Sequence, residues 1–227
     1  MCAVPPKSEA YLPIEDDKWD RGEWTAREPY LISSGAAFRM GRYPRAVQAM
    51  YLLSKCLAIS AGGADTTVDD IIQIDRTLRA LSHLTASEVE LADTLYCVPE
   101  VMCLDGLMLL YSEFLRSNCT RPDYITTSYI MASLESVLRH SALIHLSVLD
   151  MKRGAPQYYC PLLFGWVYRV ASLGVIRQRQ SPEYGKAERV QLAIQVLQVL
   201  QPRWRIAEQY LNLLAQADPG VPLSLLK

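Results

Sequence analysis

Residues 201–214 read QPRWRIAEQYLNLL, and two apolar segments lead into them: YYCPLLFGWVYRVASLGVI at 158–176 and YGKAERVQLAIQVLQVL at 184–200. Neither segment alternates apolar and polar residues as a half-buried strand would, and both are long enough for helices of four turns or more. In the second, Gln191, Gln195, Gln198 and Gln201 keep three-four spacing and fall on one narrow face. Val190, Ala193, Ile194, Leu197 and Leu200 flank that strip on one side, and Leu192, Val196 and Val199 on the other. A helix apolar over most of its circumference is buried on two sides, so this one is expected to be a core helix with a solvent-facing amide strip. Trp204, between Arg203 and Arg205, stands where this helix meets a third. It is expected to anchor that junction, with the two arginines pairing or snorkelling around the indole.

Upstream the pattern is more helix. Residues 38–60 place Ala46, Ala49, Met50, Leu53 and Leu57 on a stripe, and Arg39, Arg42 and Arg45 on what reads as a solvated basic face. Residues 67–83 carry Ile71, Ile74, Leu78 and Leu81, with Thr67 and Asp70 spaced as a capping pair. Pro99 opens a third helix with Val101, Leu104, Leu107, Met108 and Tyr111 on its inner face. From 123 to 151 no Pro or Gly interrupts a run whose stripe is Ile130, Leu134, Val137, Leu138, Ser141 and Val148. As one helix that run extends on the order of 40 Å. The expectation is an all-α fold, a bundle of about seven helices over residues 38–227, preceded by an irregular arm at 1–37. The arm holds Trp19 and Trp24 among Glu15, Asp16, Asp17, Asp20 and Glu23. The two rings read as pins that hold the arm to the helical body, or as a partner-binding segment.

Composition narrows the function classes. The 23 Lys and Arg residues balance 24 Asp and Glu residues, a formal net charge of -1, so there is no whole-chain basic excess of the kind that reads phosphates. The six cysteines, at 2, 56, 97, 103, 119 and 160, lack the close pairs of a zinc site. With no signal-peptide pattern at the start, reduced thiols in an intracellular setting are expected. The most apolar stretch contains Arg169, which argues against a membrane span. DDIIQID at 69–75 resembles a metal-binding acidic helix, but Asp70 and Asp75 lie on different faces, and capping accounts for it better. The three histidines lack ligand spacing, and no nucleophile elbow, phosphate loop or dinucleotide fingerprint occurs. No catalytic residue, metal or cofactor is expected. Phe164, Trp166, Tyr168 and Trp204 are candidates to line a small-molecule pocket.

Four passages, in order, carry a likeness: YLPIEDDKWDRGEW, MGRYPRAVQAMYLLSKCL, LRALSHL with CVPEVMCLDGLMLLYSEF, and YYCPLLFGWVYRVASLGV with QPRWRIAEQYLNLL. They resemble the fungal-specific transcription factor domain, the regulatory region of fungal zinc-cluster regulators, and the R-W-R core is the most specific element. The resemblance implies an all-α nuclear regulatory domain that contacts protein partners, by self-association or through transcriptional co-regulators. It also implies Trp19, Trp24, Trp166, Arg203, Trp204 and Arg205 as structural or interaction residues. The family's six-cysteine, two-zinc DNA reader has no counterpart among these scattered cysteines. The chain is therefore expected to correspond to the C-terminal part of such a regulator, without autonomous sequence-specific DNA binding.

Overall fold

The computed structural model describes residues 40–61, 68–90, 98–117, 124–150, 162–180 and 187–217, and in the arm residues 9–13, 18, 20–23 and 31–33. These residues form an all-α protein. Its helices are α1 (Arg42–Ser60), α2 (Val68–Glu90), α3 (Val98–Ser117), α4 (Tyr124–Asp150), α5 (Leu162–Gln180), α6 (Ala187–Leu200) and α7 (Arg205–Ala217). No strand occurs among the described residues; one isolated antiparallel bridge joins Tyr11 to Leu31 in the arm. The chain divides into two compact units, Met1–Leu134 and Glu135–Lys227, and the division falls inside α4.

In the first unit α1 and α2 both pack on α3. Every residue of α3 from Pro99 to Tyr111 is buried, so it has no solvent face over that span. Its stripe of Val101, Leu104, Leu107, Met108 and Tyr111 is inside as expected, and the residues between them are inside as well. Such a helix takes its polar groups into the core with it, and they need partners there. Tyr111 finds them on α2. Its hydroxyl donates to Asp75 Oδ1 and accepts from Arg79 Nη2, while Arg79 Nε donates to both Asp75 carboxylate oxygens at 3.1 Å. Burial, followed by the Asp75 carboxylate, pushes the phenol's pKa up, so it remains a donor. Asp75 is thus a tether between helices, while Asp69 and Asp70 sit in the first turn of α2 at the positive end of its dipole. Thr67, the expected cap, lies outside the described residues.

The face that α1 buries differs from the one its periodicity points to. Arg45, Gln48, Ala49 and Cys56 are inside, whereas Met50 and Leu57 are exposed. Arg45 is not on a solvated basic face: it is buried, and its Nη1 donates to Gln48 Oε1 at 3.1 Å. The physical reason is α3 itself. α1 packs on α3, which is buried all round from Pro99 to Tyr111, so the face of α1 that meets it is the one that goes inside. α2 also runs further than expected, to Glu90, which makes His83 an exposed mid-helix residue rather than a helix end.

In the second unit α5 packs on α6 and α7, and α6 packs on α7. α6 buries Val190, Ala193, Ile194, Val196, Leu197 and Leu200, and Gln195 on its amide strip is exposed. Arg189 at the head of α6 donates from Nη2 to Glu135 Oε1 at 2.6 Å. α5 and α6 approach so closely that a Cβ placed on Gly174 would lie 2.5 Å from Val190 Cγ2. α4 runs unbroken for 27 residues, and its stripe from Ile130 to Val148 is buried as expected.

Two substitutions test this packing. Gly174→Ala gains ~1 kcal/mol of helix propensity but has to displace the stiff Val190 at a cost of ~1–3 kcal/mol. Urea unfolding should show a net loss, and adding Val190→Ala should recover part of it. Tyr111→Phe, which removes one hydroxyl from the Asp75–Arg79 pair, should cost about 1–2 kcal/mol in the same measurement.

Candidate functional site

The expected aromatic candidates fall mostly in the second unit. α6 ends where Pro202 interrupts the backbone ladder, and a turn at 201–203 follows. The backbone N–H groups of Gln201 and Trp204 donate to the Leu197 and Leu200 carbonyls at 2.9 and 3.0 Å. The Trp204 carbonyl in turn accepts from Ala207 N–H at 3.0 Å, which opens α7. This tight link fixes where the indole points. Its ring lies 5.7 Å from Phe164 at a tilt of 55°, and the Arg203 guanidinium sits 5.8 Å from the indole on the outside. Trp204 is half-buried, and Arg203 and Arg205 are exposed. Arg203 therefore covers the ring as a cation–π partner, while Arg205 projects from the start of α7.

Phe164, Trp166, Tyr168 and Trp204 do not converge on one pocket. Phe164 and Tyr168, one turn apart on α5, meet Trp204 and Tyr210; the Tyr168–Tyr210 rings stack at 4.7 Å. Two residues along from Phe164, Trp166 is turned about 200° around the helix. It is fully buried and meets His145 edge-on at 4.6 Å. The helical repeat itself separates the four rings into two groups.

The Trp166 side of α5 holds what the sequence left unremarked. His145 and Ser141, one turn apart on α4, are both fully buried. Among the described residues, Ser141 Oγ, both His145 ring nitrogens and Trp166 Nε1 are buried without a hydrogen-bond partner. Leaving a buried polar atom unsatisfied costs about 1–3 kcal/mol, so four in one neighbourhood stand out against ordinary core packing. Burial pushes the His145 pKa down to about 3, and the ring is a neutral imidazole with one N–H and one lone pair. A nucleophilic Ser–His pair requires a hydrogen bond between the two side chains, and Ser141 Oγ makes none. A histidine on a helix stripe with a serine one turn before it was the available signal in the sequence, but the facing Trp166 is remote in the chain.

The remaining candidates are placed as follows. Trp19 and Trp24 lie outside the described residues. Nearby parts of the arm are anchored, because Leu12 and Ile32 pack on Tyr51 of α1 and Ile32 N–H donates to the Ala10 carbonyl at 2.8 Å. Cys56 and Cys103 are buried free thiols. Burial and the Asp105 charge push Cys56 up to about 12, and burial with the Glu100 charge pushes Cys103 up as well. Neither is poised as a thiolate nucleophile. Among the described residues no cluster of three or more His, Cys, Asp or Glu side chains could hold a metal ion, and no helix is long and apolar enough to cross a membrane.

Comparison with protein-family models, with curated proteins and with solved structures finds no match for the chain.

His145 gives the second unit a pH signature. Unfolded, the imidazole takes up a proton near its ordinary value of 6.5; folded, it stays neutral down to about 3. The unfolded state binds more protons across that window, so stability is full above it and falls as pH drops through it. Urea unfolding followed by tryptophan fluorescence should show a lower midpoint at about pH 5 than at about pH 7. His145→Leu should flatten that difference and leave the pH 7 midpoint equal or higher, because it removes two unpartnered polar atoms.

Proposed function

We propose that the chain is a regulatory module of transcription that acts through protein contacts, without a DNA reader of its own and without catalysis. The observation that carries this reading is the ordered run of four passages resembling the fungal-specific transcription factor domain. Their helical parts fall in α1, in α2 and α3, in α5, and in α7 together with the turn before it. The near-balance of charge, 23 basic against 24 acidic residues, supports contacts with proteins over contacts with phosphate. Nuclear residence follows from the same reading, and partners are transcriptional co-regulators or further copies of the chain.

A second reading, a helical protein that binds a small molecule, is favoured by the Ser141, His145 and Trp166 polar atoms, which are buried together and unsatisfied. Their neutral donors and acceptors fit a small uncharged polar ligand. The two readings are compatible if such a ligand controls the partner surface.

The test joins the full chain to an unrelated DNA-binding domain and measures transcription from a reporter bearing that domain's site. Output should move away from that of the DNA-binding domain alone, in either direction. The purified chain should bind duplex DNA without sequence selectivity at about 150 mM salt. Unchanged reporter output, or tight selective DNA binding, would falsify the regulatory reading.

A further inference from the structure

The arm is fixed to α1 on both sides of its acidic, tryptophan-bearing stretch. Tyr11 is bridged to Leu31, and Ile32 N–H donates to the Ala10 carbonyl at 2.8 Å. Leu12 and Ile32 pack on Tyr51 of α1, and Met40 and Val47 lie against the same cluster. Residues 14–30 therefore leave from a point beside Val47 and return to it. Within that stretch Glu23 N–H donates to the Lys18 carbonyl at 2.9 Å across Gly22, whose φ is 65°. Such a bond closes a helical turn. Trp19 stands seven positions after Leu12, and Trp24 seven positions before Leu31.

We propose that this stretch of the arm is a strap across the outer face of α1, with Trp19 and Trp24 seated on Met50 and Leu57. Met50 lies one turn beyond Val47 and Leu57 two turns further, and the described residues leave them 42 % and 48 % exposed. Reach permits the seat: seven residues extend up to ~23 Å, and Val47 to Leu57 is about 15 Å along the helix. Charge selects it. Residues 14–30 carry six acidic against three basic residues, whereas α1 carries Arg42, Arg45 and Lys55 and no acidic residue. Lys55 holds its ammonium 4.7 Å over the Tyr51 ring, the same ring on which Leu12 and Ile32 pack. An acidic strap meets opposite charge there, while a second α1 would bring the same cations and no carboxylate. Tryptophan is highly buried on average, and the stripe offers the two indoles apolar surface.

The strap closes the stripe within the chain, and it is built to lift. One isolated bridge and a cluster of three buried side chains hold its ends, and a pairing that short is marginal on its own in water. A protein that captures the two tryptophans uncovers Met50 and Leu57 in the same step. The contact is internal to the first unit and stands whether or not the chain regulates transcription.

The experiment is limited trypsin digestion of the full chain, with cleavage at Lys18, Arg21 and Arg27 followed by mass spectrometry. Cleavage at a protected site tracks the population of the open form, so the wild-type chain should be cut there at least about tenfold more slowly than a synthetic peptide of residues 14–30. Met50→Glu sets a carboxylate in the seat and against the acidic strap, and should speed those cuts at least about fivefold with helix content unchanged. Met50→Leu should leave them at the wild-type rate, and Trp19→Ser combined with Trp24→Ser should speed them as Met50→Glu does. A wild-type chain cut as fast as the peptide overturns the proposal. So does a folded Met50→Glu chain, or a double tryptophan variant, cut at the wild-type rate. Protection that rises with chain concentration assigns the seat to a second copy and overturns it too. If Met50→Glu lowers helix content, Leu57→Glu takes its place and decides.

Discussion

A helix with no solvent face has to bring partners for its polar groups, and in the first unit that requirement arranges everything around α3. Tyr111 is the point where it is met. Its hydroxyl is held between Asp75 and Arg79, which hold each other through both carboxylate oxygens. Each group satisfies the other two, so α2 is tied to α3 at one angular setting and not merely by apolar contact. The same requirement explains why α1 buries Arg45 and Gln48 and leaves Met50 outside. Arg45 and Gln48 bring part of their own satisfaction with them, since Arg45 Nη1 donates to Gln48 Oε1 at 3.1 Å.

The second unit meets a different constraint, close backbone approach. Gly174 lets α5 come so near α6 that Val190 fills the space a side chain would take. The turn at 201–203 then delivers Trp204 onto Phe164 while Tyr210 stacks on Tyr168. α5 is thereby held on one face by aromatic contact with the turn and α7. On another face Trp166 meets His145. Among the described residues four buried polar atoms there lack partners, against one, Trp204 Nε1, at the contact with Phe164. Cores that tolerate this trade some stability for a group held in a defined place.

Helix number, type and order were legible because the apolar stripes are long and Pro and Gly fall between them. The inner faces of α3 and α4 followed from period alone, as did the core role of α6. α1 did not. Its stripe of Ala46, Met50, Leu53 and Leu57 has sound helical spacing, yet spacing says only that a face is apolar, not which neighbour covers it. Arg45 read as solvated because an arginine in a basic run usually is, and its burial follows from how α1 is turned against α3, which the sequence does not state. Asp75 likewise read as part of an acidic cluster, since its partner Tyr111 lies 36 positions on. The Ser141, His145 and Trp166 group was beyond reach for the same reason. Two of its members share a stripe, but the third is set by how α5 is turned.

This difference bears on what the family likeness carries. Two of the resembling passages are core over much of their length: α3 is buried through its middle, and the R-W-R element is where a turn seats an indole on Phe164. Residues under packing constraint speak to architecture, because the contacts that fix them are internal. Partner choice is written elsewhere, in positions the core does not need. On α1 those positions are apolar where solvent alone would favour polar residues, and exposure of that stripe costs solubility without stabilising the unit. The stripe through Met50 is therefore the part of α1 that the core of its own unit leaves undetermined.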